Sequence, residues 1–286
     1  MNKTALIGAP QKAAIGAVYS FKRHGGTWTE EQKLLPADGG LSSELFGSSL
    51  ALDGDTLVVG SDGLARVFTR ERTVWTEQQK IPLPAGAFEN GFGRAALDGD
   101  TLVIASLRDA VGSNPEQGSA YVYERSGSTW NLVQRLVAAD GQTNDHFGNT
   151  VAISGKKIVV AVDSFFHPEQ SGAAYVFVRK NGSFVQQAKL LSPDGAPQDA
   201  FGLVVAVRGD VALIGAPLHE HGGVGVNNGS AYLFERSHSQ WVPVQELMAT
   251  DVTDNARFGA PVALSGQHAV SATPFFGAGA AYVFDL

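Results

Sequence analysis

Cysteine is absent from this 286-residue sequence, which excludes disulfide bridges, thiolate nucleophiles and cysteine-ligated zinc sites. Charged residues are scarce as well. They make up only 17% of the chain, and acidic residues exceed basic ones to give a formal net charge of -7, with no basic run. Nucleic acid and anionic membrane surfaces are therefore unfavourable partners, because their phosphates would be repelled.

Long apolar runs are also missing, and none approaches the roughly 20 residues that a membrane-spanning helix requires. Met1-Asn2-Lys3 leads directly into a predicted strand, so we expect no signal peptide within this sequence. No segment spaces its apolar residues with the period of an amphipathic helix. Together these absences favour a globular chain built from strands.

Glycine, by contrast, is abundant with 34 residues, which indicates many turns. The dipeptide Phe-Gly recurs, and each copy is followed by a short apolar run, a polar turn such as Asp53-Gly54, and a second, β-branched run. Asp-Gly between apolar runs is a strong hairpin signal, because a type I′ turn needs two positive φ angles. The recurring phenylalanines are Phe46, Phe92, Phe147, Phe201 and Phe258.

Two further runs complete each repeat. The third run has aromatic residues at every second position, as at Tyr175 and Phe177, and this alternation is typical of a half-buried strand. In one copy Arg66 replaces the first aromatic residue. All four tryptophans occupy one slot that follows this run, where we expect them to lie as wedges between repeats. The fourth run, for example residues 134–136, alternates polar and apolar residues and predicts a solvent-facing outer strand.

Four short antiparallel strands in each repeat of about 50 residues are the signature of a β-propeller blade. We therefore predict an all-β, single-domain β-propeller, since each sheet has two apolar faces that only stacked neighbours in a closed ring can cover. The chain begins at a second strand and ends after a third. This favours six blades, of which one terminal blade lacks its innermost and the other its outermost strand; five or seven blades are the alternatives. The repeats span approximately residues 1–39, 40–85, 86–140, 141–194, 195–251 and 252–286.

Three motifs recur at fixed places: Phe-Gly before the first strand, Gly-Ala-Pro after the second (residues 8–10 and 215–217), and Ala-Tyr-Val-Phe in the third. This set resembles the FG-GAP repeat, the unit of the integrin α-subunit propeller and of many bacterial surface and secreted proteins. The resemblance covers essentially the whole chain. It implies a propeller fold, a binding or adhesion role, and an extracellular or cell-surface location.

The resemblance also implies a calcium loop of the Asp-x-Asp-x-Asp-Gly type in the first hairpin, and here the sequence departs from the family. The hairpin is shortened to Leu-Asp-Gly-Asp at residues 52–55 and to Ser-Gly-Lys at residues 154–156. Calcium takes about six to eight oxygen ligands, which a two-residue turn with two carboxylates cannot supply. We expect no calcium at these hairpins and no other cofactor.

Functional residues in a ring of repeats are expected where the copies differ, which is mainly in the loop between the second and third strands (the 2–3 loop). This loop is minimal at residues 61–63 but long at 107–117, 163–170 and 218–228. By strand alternation the 2–3 loops share one rim with the Phe-Gly dipeptides, and loops on a rigid scaffold commonly carry binding residues. Their aromatics, carboxylates and imidazoles suit a sugar, a peptide or a protein surface. The candidate ligand-binding residues are Asp109, Glu116, Asp163, Phe165, His167, Glu169, His219, Glu220, His221, Asn227 and Phe275, with Asn114, Phe166 and Phe276 beside them.

The triplet His219-Glu220-His221 is the most distinctive local feature. Imidazoles at positions i and i+2 of an extended segment point the same way. The sequence assigns no metal site, but this spacing makes His219 and His221 candidate ligands, with His167 or Glu169 completing the set. A solvated, glycine-flanked loop is the alternative interpretation.

No catalytic residues are assigned, because no Gly-x-Ser-x-Gly elbow occurs and no Ser-His-Asp set stands out. Paired carboxylates such as Asp163 and Glu169 would suit a polysaccharide hydrolase or lyase, which stays an alternative.

Acidic residues also recur ahead of Phe-Gly, and their repetition predicts a structural role in turns whose side chains accept backbone N–H bonds. The Arg-Gly-Asp triplet at residues 208–210 is likewise interpreted as a hairpin turn rather than an adhesion motif. The acidic residues are Glu44, Asp145 and Asp199, two positions ahead, and Asp140, Asp194 and Asp251, seven positions ahead.

The leading prediction is a non-catalytic binding or adhesion module that presents the loop-built rim to a protein or glycan partner. The alternatives are the hydrolase or lyase and an architectural domain of a larger surface protein. Incomplete terminal blades offer strand edges to other chains, which predicts self-association.

Overall fold

The computed structural model describes residues 3–41, 44–85, 87, 92–162, 169–221, 227–251, 254–274 and 277–286. These residues form β-strands and one short 3-10 helix (Lys12–Ala14). Within them, no helix is long and apolar enough to cross a membrane. The all-β prediction is confirmed.

The strands form six antiparallel sheets, each one blade. Blade 1 contains β1 (Thr4–Ala9), β2 (Ala17–His24) and β3 (Thr27–Leu34). Blade 2 contains β4 (Ser49–Asp53), β5 (Thr56–Ser61), β6 (Leu64–Glu71) and β7 (Val74–Pro82). Blade 3 contains β8 (Phe92–Asp98), β9 (Thr101–Ser106), β10 (Ser119–Ser126) and β11 (Thr129–Leu136). Blade 4 contains β12 (Thr150–Ser154), β13 (Lys157–Val162), β14 (Ala173–Lys180) and β15 (Ser183–Leu190). Blade 5 contains β16 (Val204–Arg208), β17 (Val211–Ala216), β18 (Ser230–Ser237) and β19 (Gln240–Leu247), and blade 6 contains β20 (Val262–Ser265), β21 (His268–Thr273) and β22 (Ala280–Asp285).

The first strands of successive blades pack beside one another in the order β4, β8, β12, β16, β20 and are therefore the inner strands of a six-bladed β-propeller. In the described part of the chain, blade 1 has no such inner strand and blade 6 has no outer, fourth strand. The predicted architecture and the incomplete terminal blades are thus confirmed.

Stacking of the blades is driven by apolar residues on both faces of each sheet. The phenylalanine of every Phe-Gly dipeptide is buried and lies against the aromatic residues of the third strand of its own blade. For example, the ring centroids of Phe201 and Tyr232 are 5.8 Å apart. Tyr232 in turn belongs to the cluster formed with Val176 of the preceding blade. Full burial of each such side chain stabilises the fold by roughly 1.5–3 kcal/mol.

Neighbouring blades are also joined by a repeated hydrogen-bond pair at the tryptophan slot. The side-chain oxygen of Gln79 in blade 2 accepts a hydrogen bond from the backbone N–H of Trp130 in blade 3 (2.7 Å). The side-chain nitrogen of Gln79 donates one to the backbone carbonyl of Trp130 (3.0 Å). The same exchange joins Gln134 to Phe184, and Gln32 to Trp75. The predicted position of the tryptophans between blades is therefore confirmed for blades 2 and 3.

The seam between blades 1 and 6 differs from the other blade interfaces. Trp28 of blade 1 is 44% exposed whereas Trp75 is 3% exposed, because the described part of blade 6 provides no fourth strand to cover Trp28. Ile7 of blade 1 (55%) and Val283 of blade 6 (65%) are also exposed, whereas their counterparts Ile214 and Val176 are buried between blades 4 and 5. The expectation that closure covers every apolar face is not met at this seam.

A local irregularity occurs in the inner strand of blade 3. The register of β8 against β9 shifts between Phe92 and Arg94, as it does at a β-bulge. The shift brings Arg94 to the central channel, where its guanidinium donates to the side chain of Asn149 (2.6 Å).

Candidate functional site

One rim of the propeller carries both the 2–3 loops and the Phe-Gly segments. Parallel bridges join the end of a 2–3 loop to the Phe-Gly of the next blade, as between Gly172 and Phe201. Gly172 has a φ of +98°, and an added Cβ would lie only 1.9 Å from the Phe201 carbonyl oxygen, so no larger residue fits. The histidine-bearing loop follows the same rule, because the backbone N–H of Phe258 in blade 6 donates to the carbonyl of Asn228 at the end of this loop (2.8 Å). The shared rim predicted from strand alternation is therefore confirmed.

A recurring arrangement, which we call the socket, lies next to this rim on blades 2 to 5. It consists of the first aromatic position of the third strand, the fourth-strand residue paired with it, and a carboxylate. In blade 4, Tyr175 pairs in register with Lys189, and the Lys189 ammonium donates to Asp140 (2.6 Å). The ammonium also lies 5.3 Å from the centre of the Tyr175 ring.

Blade 2 keeps the socket but replaces its tyrosine with Arg66. The Arg66 side chain is fully buried, and its guanidinium contacts three carboxylates, those of Asp38 (2.9 Å), Glu44 (2.9 Å) and Glu77 (3.1 Å). Lys80, its partner in the fourth strand, also binds Asp38 (2.8 Å). Glu44 therefore pairs with a buried cation and is not only a turn residue.

Blade 3 takes its carboxylate from the 2–3 loop. Asp109 is fully buried and accepts hydrogen bonds from Ser106 (2.6 Å) and Tyr121 (2.6 Å). Arg135, the cation of this socket, lies 3.3 Å from the same carboxylate. The structure thus places Asp109, a predicted ligand-binding residue, inside blade 3 rather than on the open rim.

The socket of blade 5 has the opposite charge at its fourth-strand position. Tyr232 pairs in register with Glu246, whereas the corresponding partner in four other blades is a lysine or arginine. Those four residues are Lys33, Lys80, Arg135 and Lys189. Tyr232 still donates to Asp194 (2.7 Å), so blade 5 brings two carboxylates to the place where other blades pair a carboxylate with a cation.

Two imidazoles complete the blade 5 socket. His219 is buried, and its Nδ1 lies 2.8 Å from the Asp199 carboxylate while its Nε2 lies 4.0 Å from Glu246. The Nε2 of His221 lies 3.5 Å from the same Glu246 oxygen. Ser230 is 2.8 Å from His221 and donates to Glu246 (2.6 Å). Among the residues that the structure describes, His219, His221 and Glu246 form the one group of three metal-ligating side chains whose ligand atoms all lie within 4.8 Å of one another.

The electrostatics of this socket shift two ionisation equilibria. The hydrogen bond to Asp199 raises the pKa of His219 against the opposing effect of burial, and the nearby charges of Asp194 and Glu246 act in the same direction. Burial alone would raise the pKa of Asp194, but hydrogen bonds from Tyr232 and Ser192 and the charge of His219 lower it. These carboxylates therefore favour positive charge on His219.

Two pockets open on the rim beside residues 195–199, which precede the Phe-Gly dipeptide of blade 5. The first has a volume of about 450 Å³, and Glu169, Tyr175 and Lys189 are among the residues that line it. The second, of about 460 Å³, is lined by Asp199, Glu220, Asn227 and Arg257 among others. Pro197 lines both pockets, which makes them adjacent.

The other predicted rim residues fall into three groups. Glu116 lies 2.9 Å from His146 across the interface of blades 3 and 4. Glu169, Glu220 and Asn227 line the two pockets. Asp163, Phe165, Phe166, His167, Phe275 and Phe276 lie outside the described residues.

The turn role predicted for the recurring acidic residues is confirmed for Asp145 and Asp199, whereas Asp140, Asp194 and Asp251 accept hydrogen bonds from the side chains of Lys189, Tyr232 and Tyr282. Asp145 accepts the Gln142 N–H (2.6 Å), and Asp199 accepts the Ala196 N–H (2.7 Å). Asp199 also binds His219, a contact that turn chemistry alone does not predict. Sequence reasoning missed Glu246, although its signal is visible as the one acidic residue in a position that is otherwise basic.

Comparison with known proteins identifies one recurring unit. A sequence model described as the FG-GAP repeat matches residues 28–67, 75–123, 130–177 and 184–234, which together make up more than half of the chain. Each match runs from the fourth strand of one blade into the third strand of the next. No curated protein matches the chain.

Proposed function

We propose, from the premise that the chain belongs to the FG-GAP repeat family, that it is a non-catalytic binding module whose loop rim receives a protein or carbohydrate partner. The observation that carries the proposal is the pair of adjacent rim pockets that share Pro197. A location outside the cell, which is common in this family, is part of the same proposal.

The pocket linings support a polar ligand. Volumes of about 450 and 460 Å³ fall in the ordinary range of small-ligand sites, which is roughly 300–1,000 Å³. Glu169 and Lys189 offer charged groups in the first pocket, next to the ring of Tyr175, while Asn227 and Arg257 line the second. Sugar hydroxyls or the polar groups of a peptide match such linings, because each needs several oriented donors and acceptors around a small apolar surface.

A glycan and peptide array screened with the purified chain tests this proposal. We expect retention of one class of ligand, and loss of at least tenfold in affinity in Glu169→Ala and Asn227→Ala variants. Lys156→Ala is the matched control, because Lys156 is exposed on a hairpin turn between a first and a second strand, at the end of the blade away from this rim. Binding that is unchanged in the pocket variants but lost in Lys156→Ala would contradict a rim site.

The polysaccharide hydrolase or lyase stays a prediction. Of its two carboxylates, Asp163 lies outside the described residues, and Glu169 lines the first pocket. No observation in the described part of the chain favours cleavage over binding.

The seam favours a second candidate, self-association of this chain. Val283 in the third strand of blade 6 is equivalent to Val176 of blade 4, which packs against the next blade in the cluster that contains Tyr232. Blade 5 packs against blade 6 through the same face. In blade 1, Tyr19 is equivalent to Tyr232. Blade 6 of one copy is therefore complementary to blade 1 of a second copy. Sedimentation at rising concentration should show association that Val283→Lys abolishes, and a strict monomer would contradict it.

A further inference from the structure

We propose that blade 5 carries a site for a divalent transition metal of the zinc class, with His219 Nε2, His221 Nε2 and the Glu246 carboxylate as ligands. The inference is independent of the partner-binding role, because it rests on the socket of blade 5 and on its difference from the other sockets.

The first argument is charge. The carboxylate of each of the sockets in blades 2, 3 and 4 contacts a lysine or arginine: Lys80 at Asp38, Arg135 at Asp109 and Lys189 at Asp140. In blade 5 the equivalent position is Glu246. Among the described residues, no lysine or arginine forms an ion pair with Asp194 or Glu246, and the basic side chains beside these carboxylates are the two histidines. Clustered carboxylates need a compensating positive charge, and a bound cation supplies it.

The second argument is geometry. A tetrahedral site with bonds of about 2.0–2.1 Å holds its ligand atoms about 3.3–3.4 Å apart. His221 Nε2 is already 3.5 Å from Glu246, and His219 Nε2 is 4.0 Å from the same oxygen. All three ligand atoms lie within 4.8 Å of one another, so side-chain rotations that draw the most widely separated pair together bring the set to coordination distance. Asp194, 3.7 Å from His219 Nε2, or a water molecule can take the fourth position.

The third argument is the contact behind His219. Metal-bound histidines almost always donate their other ring nitrogen to a carboxylate, carbonyl or water, which fixes the tautomer that presents the free nitrogen to the metal. The Asp199 carboxylate, itself buried and anchored on the Ala196 N–H, occupies this place at Nδ1 of His219. The Nε2 atom is thereby directed toward His221 and Glu246.

The donor set selects the metal class. Two imidazoles and a carboxylate suit zinc and its first-row neighbours, whereas calcium and magnesium prefer oxygen ligands alone. The carboxylate side of the site is open to solvent, because Asp194, Tyr232 and Glu246 line an open pocket of about 330 Å³.

Cobalt(II) titration of the untagged, chelator-treated full chain tests the proposal. We expect one equivalent of Co²⁺ to give the visible absorption of a tetrahedral site, and Zn²⁺ to displace it and raise the melting temperature. His221→Gln and Glu246→Lys should each abolish both effects. Asp199→Asn, which keeps an acceptor for the Ala196 N–H, should weaken Zn²⁺ binding by about 10- to 100-fold.

Lys189→Glu is the matched control. It creates in blade 4 the acidic socket of blade 5, but without imidazoles, so it should leave the single cobalt site unchanged and add no second one. Absence of the cobalt band in the wild-type chain, or a band that persists in both His221→Gln and Glu246→Lys, would overturn the proposal. Chemical denaturation of each metal-free variant verifies folding, and His221→Gln carries the test if Glu246→Lys does not fold.

Discussion

Blades 4 and 5 have the same strand pairing, but the fourth-strand residue of the socket is a cation in blade 4 and an anion in blade 5. In blade 4, Tyr175 stands opposite Lys189, and the lysine neutralises Asp140. In blade 5, Tyr232 stands opposite Glu246, and two histidines lie beside it. Strand pairing fixes where the socket lies, and the glutamate in the fourth strand together with the two histidines distinguishes the blade 5 socket from that of blade 4.

The blade 4 socket is electrostatically complete. Burial alone would raise the pKa of Asp140, but hydrogen bonds from Lys189 and Tyr175 outweigh burial and lower it. Burial raises the pKa of Tyr175 to about 12, so its hydroxyl stays protonated and remains a donor. Such a pair has no need of an external ion, in contrast to the blade 5 socket.

The largest effect is expected where the socket cation is most buried. Arg66→Met in blade 2 would strand the carboxylates of Asp38, Glu44 and Glu77 around an apolar side chain. Breaking a buried ion-pair network costs about 3–5 kcal/mol, which urea denaturation measures as a loss in the free energy of unfolding. Lys80→Met, the half-exposed partner in the same socket, should cost less than about 1 kcal/mol. Equal losses would contradict the role assigned to burial.

Reciprocal charge swaps give the next largest effect and test the comparison of blades 4 and 5 itself. Lys189→Glu should destabilise the chain by about 1 kcal/mol, since it exchanges a partly exposed ion pair for like-charge repulsion. In metal-free protein, Glu246→Lys should leave stability unchanged or raise it by up to about 0.5 kcal/mol, because it supplies Asp194 with the cation found in other blades. Melting curves recorded in the presence of chelator measure both changes in stability. Destabilisation by both swaps would refute the equivalence of the two sockets.

Acid should produce the smallest effect, and its sign follows from the lowered pKa of Asp140. A carboxyl whose folded-state pKa is depressed adds stability above its unfolded pKa, and this contribution is lost as pH falls through the folded pKa. The difference in unfolding free energy between wild type and Lys189→Met should therefore shrink as the pH is lowered from about 5 into the acid range. A difference that is constant over this interval would contradict the Lys189–Asp140 pair. Lys33→Met, which removes a cation lying over Tyr19, is the control.

Periodicity made most of the fold predictable from sequence. Phe-Gly, Asp-Gly turns and the tryptophan slot recur with their spacing, so strands, blades and the shared rim follow from local patterns. The socket could not be predicted in the same way. It joins Asp194 from a loop, Tyr232 from a third strand and Glu246 from a fourth, and their proximity depends on strand register. Glu246 stands at a fourth-strand position that is lysine or arginine in four other blades. An alternation of polar and apolar residues does not distinguish glutamate from lysine.

The buried carboxylates were missed for a related reason. Asp109 lies in a variable loop, and loop residues are usually expected at the surface. Its burial depends on Ser106, Tyr121 and Arg135, which come from three different strands. The seam escaped prediction because closure was inferred from the need to cover apolar faces, whereas Trp28 is covered only if a fourth strand stands beside it.

Anomalous diffraction at the zinc absorption edge tests the central claim most directly. For crystals of the full chain soaked in zinc, the account predicts one anomalous peak between His219 Nε2, His221 Nε2 and Glu246, and none at Asp140 and Lys189. A map without a peak in blade 5, or with a peak that remains there in Glu246→Lys crystals, would contradict it.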